Sequence, residues 1–322
     1  MTTRESFEVI IVGGGPAGLC AAMYCGRGML KSVLLERGLT GGELLNTEWI
    51  EDYPGFLKVM GRELAQHFTE HAKLFGADIR QDNVETIVRR DDGIFEVTSS
   101  LGTVYEAPAV ILTAGGTPNK LEVPGELEYA GRGVSYCAIC DGAFFKGETI
   151  AVIGGGDAAV EEADYLTRYA EKVYVVHRRD GFRASKLLQE RLFANPKIEV
   201  VWNKRVLECV GEPASGLKAL RLEDTVTGAE SRLAVTGCFV FIGFKPNTGL
   251  VQHHFEHDAA GYMITDSWMR TSIPGLYAAG DLRAQLTRQV TTAVGDATTA
   301  AIAVEKFLTE RKHASAVAAA GA

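Results

Sequence analysis

Two stretches of this chain repeat one pattern, and that repeat limits the possible fold more than any other feature. The first runs from Phe7-Glu8-Val9-Ile10-Ile11-Val12 into Gly13-Gly14-Gly15-Pro16-Ala17-Gly18. A helical stretch Leu19–Arg27 follows, and then the apolar run Ser32-Val33-Leu34-Leu35-Glu36. The second takes Thr149–Ile153 into Gly154-Gly155-Gly156-Asp157-Ala158-Ala159, a helix Val160–Tyr169 and the run Lys172–Val176. Each copy reads as strand, glycine turn, helix, strand.

Gly13, Gly15 and Gly18 fit the GxGxxG spacing, and Gly154, Gly156 and Ala159 fit its GxGxxA form. Glycine at these positions lets the backbone approach a pyrophosphate, which sits at the positive end of the helix that follows. Pro16 and Ala17 complete the first turn and Asp157 and Ala158 the second, and they count with the glycines as cofactor-binding residues. A lone glycine turn is a weak signal, but both copies have the flanking strands the motif requires. The expected fold is therefore α/β, with two Rossmann-like nucleotide-binding domains.

The copies differ at the end of their second strand. Glu36 stands 18 residues after Gly18, where a carboxylate binds ribose hydroxyls. His177-Arg178-Arg179 begins 18 residues after Ala159, and Arg183 follows in the same loop. A carboxylate there would repel a 2′-phosphate, whereas arginines bind it through charge-assisted hydrogen bonds. The second site therefore prefers NADPH to NADH. The competing reading is an ordinary basic surface loop.

At 322 residues the chain has room for two cores. Two turns rich in glycine and proline, Thr113–Pro118 and Gly243–Asn247, follow the apolar strands Ala109–Leu112 and Cys238–Ile242 and mark crossings between domains. They divide the chain into 1–116, an inserted domain 117–245, and 246–322. In the last part an apolar strand ends in Gly280-Asp281, suited to a cofactor's sugar chain or pyrophosphate; Arg288-Gln289 and a helix Val294–Thr309 follow. The alanine-rich tail from His313 is expected to be frayed.

The net charge of −8 argues against a general nucleic-acid binder. The run Phe7–Val12 is too short for a signal-peptide core, and no apolar stretch approaches a membrane span. A cytoplasmic protein is the expectation.

Of six cysteines, only Cys137 and Cys140 form a close motif. Residues three apart at a helix start share a face, so the two sulfurs can bond, and the helix end lowers a thiol's pKa. Asp141 beside them is placed to shuttle the proton that a thiol step requires. A zinc site would need two more ligands at matching spacing. His253, His254 and His257 form the one histidine cluster and read as a solvated loop. Cys20, Cys25, Cys209 and Cys238 lie in apolar stretches and read as core.

From Glu5 to about Thr309 the chain resembles the low-molecular-weight thioredoxin reductases of bacteria and plants. The motifs that carry the resemblance are Gly13–Gly18, Cys137–Gly142, Gly154–Ala159, His177–Ala184, Ala279–Asp281 with Arg288–Val290, and the turn Glu51–Phe56. The resemblance implies FAD in the first site, held by Gly13, Gly15, Pro16, Ala17, Gly18, Glu36, Gly42, Glu43, Leu44, Asn46, Gly280, Asp281, Arg288, Gln289 and Val290. It implies NADPH in the second, a homodimer, and thioredoxin or a thioredoxin-like protein as substrate. It further implies that Cys140 is the sulfur nearest the flavin, that Cys137 attacks the substrate disulfide, that Asp141 donates the proton, and that the domains rotate between two arrangements.

Three positions depart from the family pattern. Glu43 stands where glutamine is usual, Val290 stands where alanine is commoner, and Thr113–Pro118 differs from the usual Thr-Gly-Ala. Relatives driven by ferredoxin typically lack the arginine loop that this chain keeps. Glutathione-reductase-type enzymes carry CxxxxC near the first glycine motif, and flavin-dependent ferredoxin–NADP reductases lack both redox cysteines. A disulfide oxidase would not need Arg178 and Arg179, and a redox sensor would not turn over. The alternative to a thioredoxin reductase is a related FAD-dependent enzyme with another donor, such as ferredoxin, or another disulfide substrate.

Overall fold

The computed structural model describes residues 3–47, 49, 50, 52–212 and 214–320, with the side chains of 46, 49 and 315–320 outside the description. The chain divides into two compact units. The first holds residues up to 47, 53–117 and 245 onward; the second holds 118–244, with the strand Trp49–Ile50 grouped with it.

The first unit is built on a five-stranded parallel sheet. Its order is Leu276–Ala278, Ala109–Leu112, Val9–Val12, Ser32–Glu36, Asp78–Gln81. Val9–Val12 and Ala109–Leu112 are buried at every position, as strands covered on both faces must be. Alternate side chains go to opposite faces. Val9 and Ile11 meet helices Pro16–Arg27 and Val290–Ala320, while Ile10 and Val12 meet an antiparallel layer that contributes Phe95, Val97 and Tyr105. That layer runs Val84–Arg89, Phe95–Ser99, Val104–Ala107, with Arg4–Ser6 paired parallel at its edge.

The second unit repeats this plan. Its parallel sheet runs Val134–Ser135, Gly237–Phe241, Thr149–Gly154, Lys172–Val176, Ile198–Val201. Ile150 and Val152 pack on helices Asp157–Leu166 and Lys186–Ala194. Ala151 and Ile153 pack on an antiparallel layer of Lys204–Glu212, Gly216–Asp224 and Glu230–Ala234. The duplication read from the glycine motifs thus extends to a whole layered unit.

Both nucleotide helices begin three residues earlier than their apolar periodicity suggests, at Pro16 and Asp157. Proline is well placed at a helix start because its missing N–H has no partner there in any case. The C-terminal helix spans Val290–Ala320 and takes in the residues from His313. Alanine is the strongest helix former, and neither glycine nor proline occurs from His313 to Ala320.

The two crossings lie next to each other at both ends. In the first unit the N–H of Asn247 donates to the carbonyl of Gly115 at 3.0 Å. In the second the N–H of Asn119 donates to the carbonyl of Gly243 at 2.9 Å.

Candidate active site

In the first unit the glycine turn is held by close backbone packing. Gly13 has φ +107°, and a Cβ there would lie 2.5 Å from the carbonyl oxygen of Thr113. A Cβ on Gly18 would lie 1.8 Å from the carbonyl oxygen of Gly13. Gly15 differs: its added Cβ would meet only the Cα of Gly42, at 3.8 Å. Gly15 is the N-cap of the helix and offers no side-chain cap to the helix N–H groups. The open space and these uncapped donors together form a cradle for an anion. Buried Thr113 donates its hydroxyl to Val12 and Gly13 carbonyls at 2.9 and 2.8 Å, and sequence reading gave it no role.

Glu36 closes this turn. Its carboxylate accepts from the N–H groups of Gly14 at 2.6 Å and Gly38 at 3.0 Å. The 3₁₀ turn Gly42–Asn46 follows, with Leu44 buried and Glu43 exposed; the side chain of Asn46 lies outside the described residues. At the far end of the sheet, the N–H of Gly280 donates to Asp296 at 3.1 Å, and Asp296 pairs with Arg283 at 2.7 Å. The Nε of Arg288 donates to the carbonyl of Asp281 at 3.4 Å, and its guanidinium lies 4.1 Å from the Tyr262 ring centre. Burial pushes the Asp281 carboxyl up to about 6, against the attraction of Arg288; the nearby carboxylates of Glu43 and Asp296 push the same way as burial. Gln289 and Val290 begin the last helix, with Thr292 accepting from the N–H of Gln289 at 3.1 Å.

In the second unit Gly156 is likewise an N-cap without a side-chain cap, and nothing lies within 4 Å of an added Cβ. The arginine loop is tied to this turn. The N–H of Arg183 donates to the carbonyl of Gly155 at 2.8 Å, and Asp157 accepts from the N–H of Ser185 at 2.6 Å. Arg178, Arg179 and Arg183 are all exposed. His177 is placed differently from its neighbours. It is buried, and its ring occupies the space beside Gly155, where a Cβ would lie 2.2 Å from Cε1. Its Nε2 lies 3.1 Å from the Gly181 carbonyl. Burial lowers its pKa, and the adjacent arginines add to that.

The redox pair lies in this second unit. Cys137 and Cys140 form a disulfide with Cα atoms 5.3 Å apart. Cys137 is the N-cap of the short helix Ala138–Asp141, and its Sγ accepts from the N–H of Cys140 at 3.2 Å. Buried Ser135 ends the preceding strand and donates its hydroxyl to Asp141 Oδ2 at 2.5 Å. The sequence offered no local signal for this serine, because the contact depends on how the loop folds back. The other four cysteines are buried free thiols, as expected. His253, His254 and His257 are exposed, and no metal-binding cluster occurs among the described residues.

Two dinucleotide cradles, one followed by an arginine loop and sharing its unit with a disulfide, define a pyridine-nucleotide-linked disulfide oxidoreductase. The comparisons with known proteins agree. Residues 7–297 match the family described as pyridine nucleotide-disulphide oxidoreductase. The chain is 44% identical to a thioredoxin reductase of Bacillus subtilis, over 96% of this chain and 97% of that one. It is 46% identical to a thioredoxin reductase of Streptomyces coelicolor, over 94% of each. The crystal structure of thioredoxin reductase from Streptococcus pyogenes superposes with a TM-score of 0.91 at 43% identity, covering 95% of this chain and 99% of that one.

The chain belongs to the pyridine nucleotide-disulphide oxidoreductase family and, within it, to the thioredoxin reductases. It is an enzyme of the flavoprotein oxidoreductase class, and the family's cofactors are FAD and NADPH. The residues present fit both groups. Gly15 and Gly156 leave open cradles at uncapped helix starts, Glu36 ends the second strand of the first unit, and three exposed arginines end that of the second.

Proposed function

We propose that this chain uses NADPH to reduce the disulfide of thioredoxin or a thioredoxin-like protein. The net reaction consumes NADPH, a proton and the partner's disulfide, and it yields NADP⁺ and two thiols. The observation that carries the reading is the Cys137–Cys140 disulfide on the unit that bears the arginine loop.

In this reading Gly13, Gly15, Pro16, Ala17, Gly18, Glu36, Gly42, Glu43, Leu44, Asn46, Gly280, Asp281 and Arg288–Val290 hold FAD. When bound, FAD supplies a relay that accepts two electrons from NADPH and passes them to a disulfide. Gly154, Gly156, Asp157 and Ala158 hold the pyrophosphate of NADPH, with Arg178, Arg179 and Arg183 around its 2′-phosphate. His177 supports that turn from behind rather than reaching for the ligand. Cys137 and Cys140 accept two electrons and two protons as their bond opens. The Cys137 thiolate then attacks the partner's disulfide, and Cys140 displaces the partner's second thiol as the internal bond reforms. Asp141 takes the proton from Cys137 before attack and hands it to the partner's departing thiolate.

We further propose a cytoplasmic homodimer that takes neither nucleic acid nor membrane as a partner. The family resemblance supports the dimer, and four buried free thiols suit a reducing compartment. No described helix is long and apolar enough to cross a membrane.

Anaerobic titration with NADPH tests the proposal. The flavin absorbance should bleach, and added thioredoxin should restore it. In Cys140→Ser the flavin should still bleach, while transfer to thioredoxin falls at least a thousandfold, because no internal disulfide remains to carry the electrons. A flavin reduced by dithionite but not by NADPH would reject the nicotinamide donor in favour of ferredoxin.

A further inference from the structure

The mechanism above uses Cys137, Cys140 and Asp141 but leaves one buried polar group beside them without a role. Ser135 is 4% exposed and ends the strand Val134–Ser135, which pairs in parallel with Gly237–Phe241. The residue is thus fixed by the sheet and not by the redox loop. Its hydroxyl reaches both ends of that loop. It accepts from the N–H of Cys137 at 3.1 Å. It donates to Asp141 Oδ2 at 2.5 Å, with the Cys137 carbonyl a longer second acceptor at 3.2 Å. The loop closes on itself through the N–H of Asp141, which donates to the same Cys137 carbonyl at 3.2 Å.

A hydroxyl can do this because it accepts and donates at once. Alanine can do neither, and it would leave the Cys137 N–H without this acceptor. A short O–H···O⁻ contact is among the stronger hydrogen bonds available to a carboxylate, and it favours the charged form. The contact therefore has two effects. It aims the Asp141 carboxylate from a rigid strand, and it keeps that carboxylate ready to accept a proton.

We propose that Ser135 is a positioning residue for proton transfer between Cys137 and Asp141. This rests on the proton-carrying role proposed above for Asp141. Before attack, the Cys137 S–H bond breaks, its proton passes to the Asp141 carboxylate, and the electron pair stays on sulfur. In the reverse direction the carboxylic acid returns that proton to the departing Cys137 thiolate. Ser135 keeps its own proton throughout. Its hydrogen bond weakens as Asp141 is protonated and strengthens as Asp141 ionises, so it sets the pH at which the transfer operates.

The test is a single-turnover reaction of the dithiol-reduced, FAD-containing protein with 4,4′-dithiodipyridine, which needs neither NADPH nor thioredoxin. The rate is followed across the pH range in which carboxyl and thiol groups titrate. In Ser135→Ala the acidic limb should move upward by about half to one pH unit, because the carboxylate has lost a donor that favoured its charged form. Ser135→Thr should restore the limb, and Asp141→Asn should abolish it. If Ser135→Ala keeps the wild-type limb while Asp141→Asn loses it, Ser135 is only structural and the inference is overturned. If Asp141→Asn also keeps the limb, the proton-carrying role of Asp141 fails, and the inference fails with it. Should Ser135→Ala not fold, Ser135→Cys retains a weak donor, and its limb should lie between those of wild type and the upward-shifted position; an unmoved limb overturns the inference.

Discussion

The two nucleotide units share a layered plan but meet their ligands with opposite chemistry. In the first, Glu36 ends the second strand and its carboxylate gathers two backbone N–H groups. In the second, His177 takes that place and turns inward against Gly155, leaving Arg178 and Arg179 exposed beyond it. The third motif position differs as well. Gly18 has no room for a Cβ, whereas Ala159 carries one and is fully buried. Even the buried ionisable groups mirror each other: burial raises the Asp281 acid and lowers the His177 base, so each is held nearer neutrality. In the proposed reading, one scaffold accepts different nucleotides through changes at a few strand ends, while both units keep the same layered plan behind them.

The sharpest way to break this comparison is to exchange the third motif residues. Gly18→Ala places a Cβ 1.8 Å from a carbonyl oxygen, so the turn must move. We expect a loss of at least about 3 kcal/mol by thermal or denaturant unfolding, together with loss of bound flavin. Ala159→Gly in the second unit should cost only about 1 kcal/mol, through helix propensity. Equal effects would mean that the two turns are not packed differently.

The mirrored ionisable groups give a second test, by pH. Asp281 has a folded pKa above its unfolded value. Its contribution is therefore fully present below about pH 4 and is lost as pH rises through about 6. Asp281→Asn should flatten that fall, by up to roughly 3 kcal/mol between the two limits. His177 has a lowered pKa, so its contribution is present above its ordinary value near 6.5 and is lost as pH falls below it. His177→Gln should therefore relieve a loss of stability on the acid side. Unfolding of the two variants across pH should show slopes changed in opposite senses.

The last test sharpens the comparison at the ligand. Arg178→Ala should weaken NADPH by about ten- to a hundredfold, the worth of one charge-assisted contact of roughly 1.5–3 kcal/mol, with little change for NADH. An unchanged ratio of NADPH to NADH affinity would show that the 2′-phosphate lies elsewhere.

Much of this architecture could be read from the sequence because its signals are local. The strands that lead into the glycine turns, Val9–Val12 and Thr149–Gly154, are short and almost wholly apolar, and the two cysteines sit three residues apart. The antiparallel layers were not legible. The strand Glu230–Ala234 is largely exposed, and Lys204–Glu212 has an irregular register, so neither shows a clean alternation. Site residues that act over long sequence distances were also missed. Thr113 supports Gly13 from 100 residues away, and Asp296 holds Gly280 from a helix in which it reads as one acid among many polar residues. The start of each nucleotide helix escapes the apolar pattern because its first turn, Pro16-Ala17-Gly18 or Asp157-Ala158-Ala159, holds no large apolar side chain for periodicity to register.

The neighbouring crossings also bear on how such a chain could arise. Asn119 bonds back to Gly243 and Asn247 bonds back to Gly115, so the inserted segment leaves and returns at nearly one point. A host interrupted this way gives up little more chain freedom than if a short surface loop stood there, since the entropy of closing a loop grows only slowly with its length. The flavin-binding unit can therefore treat its guest as a replaceable cassette. A different reductive module could be grafted at the same two residues without rebuilding the sheet that receives it.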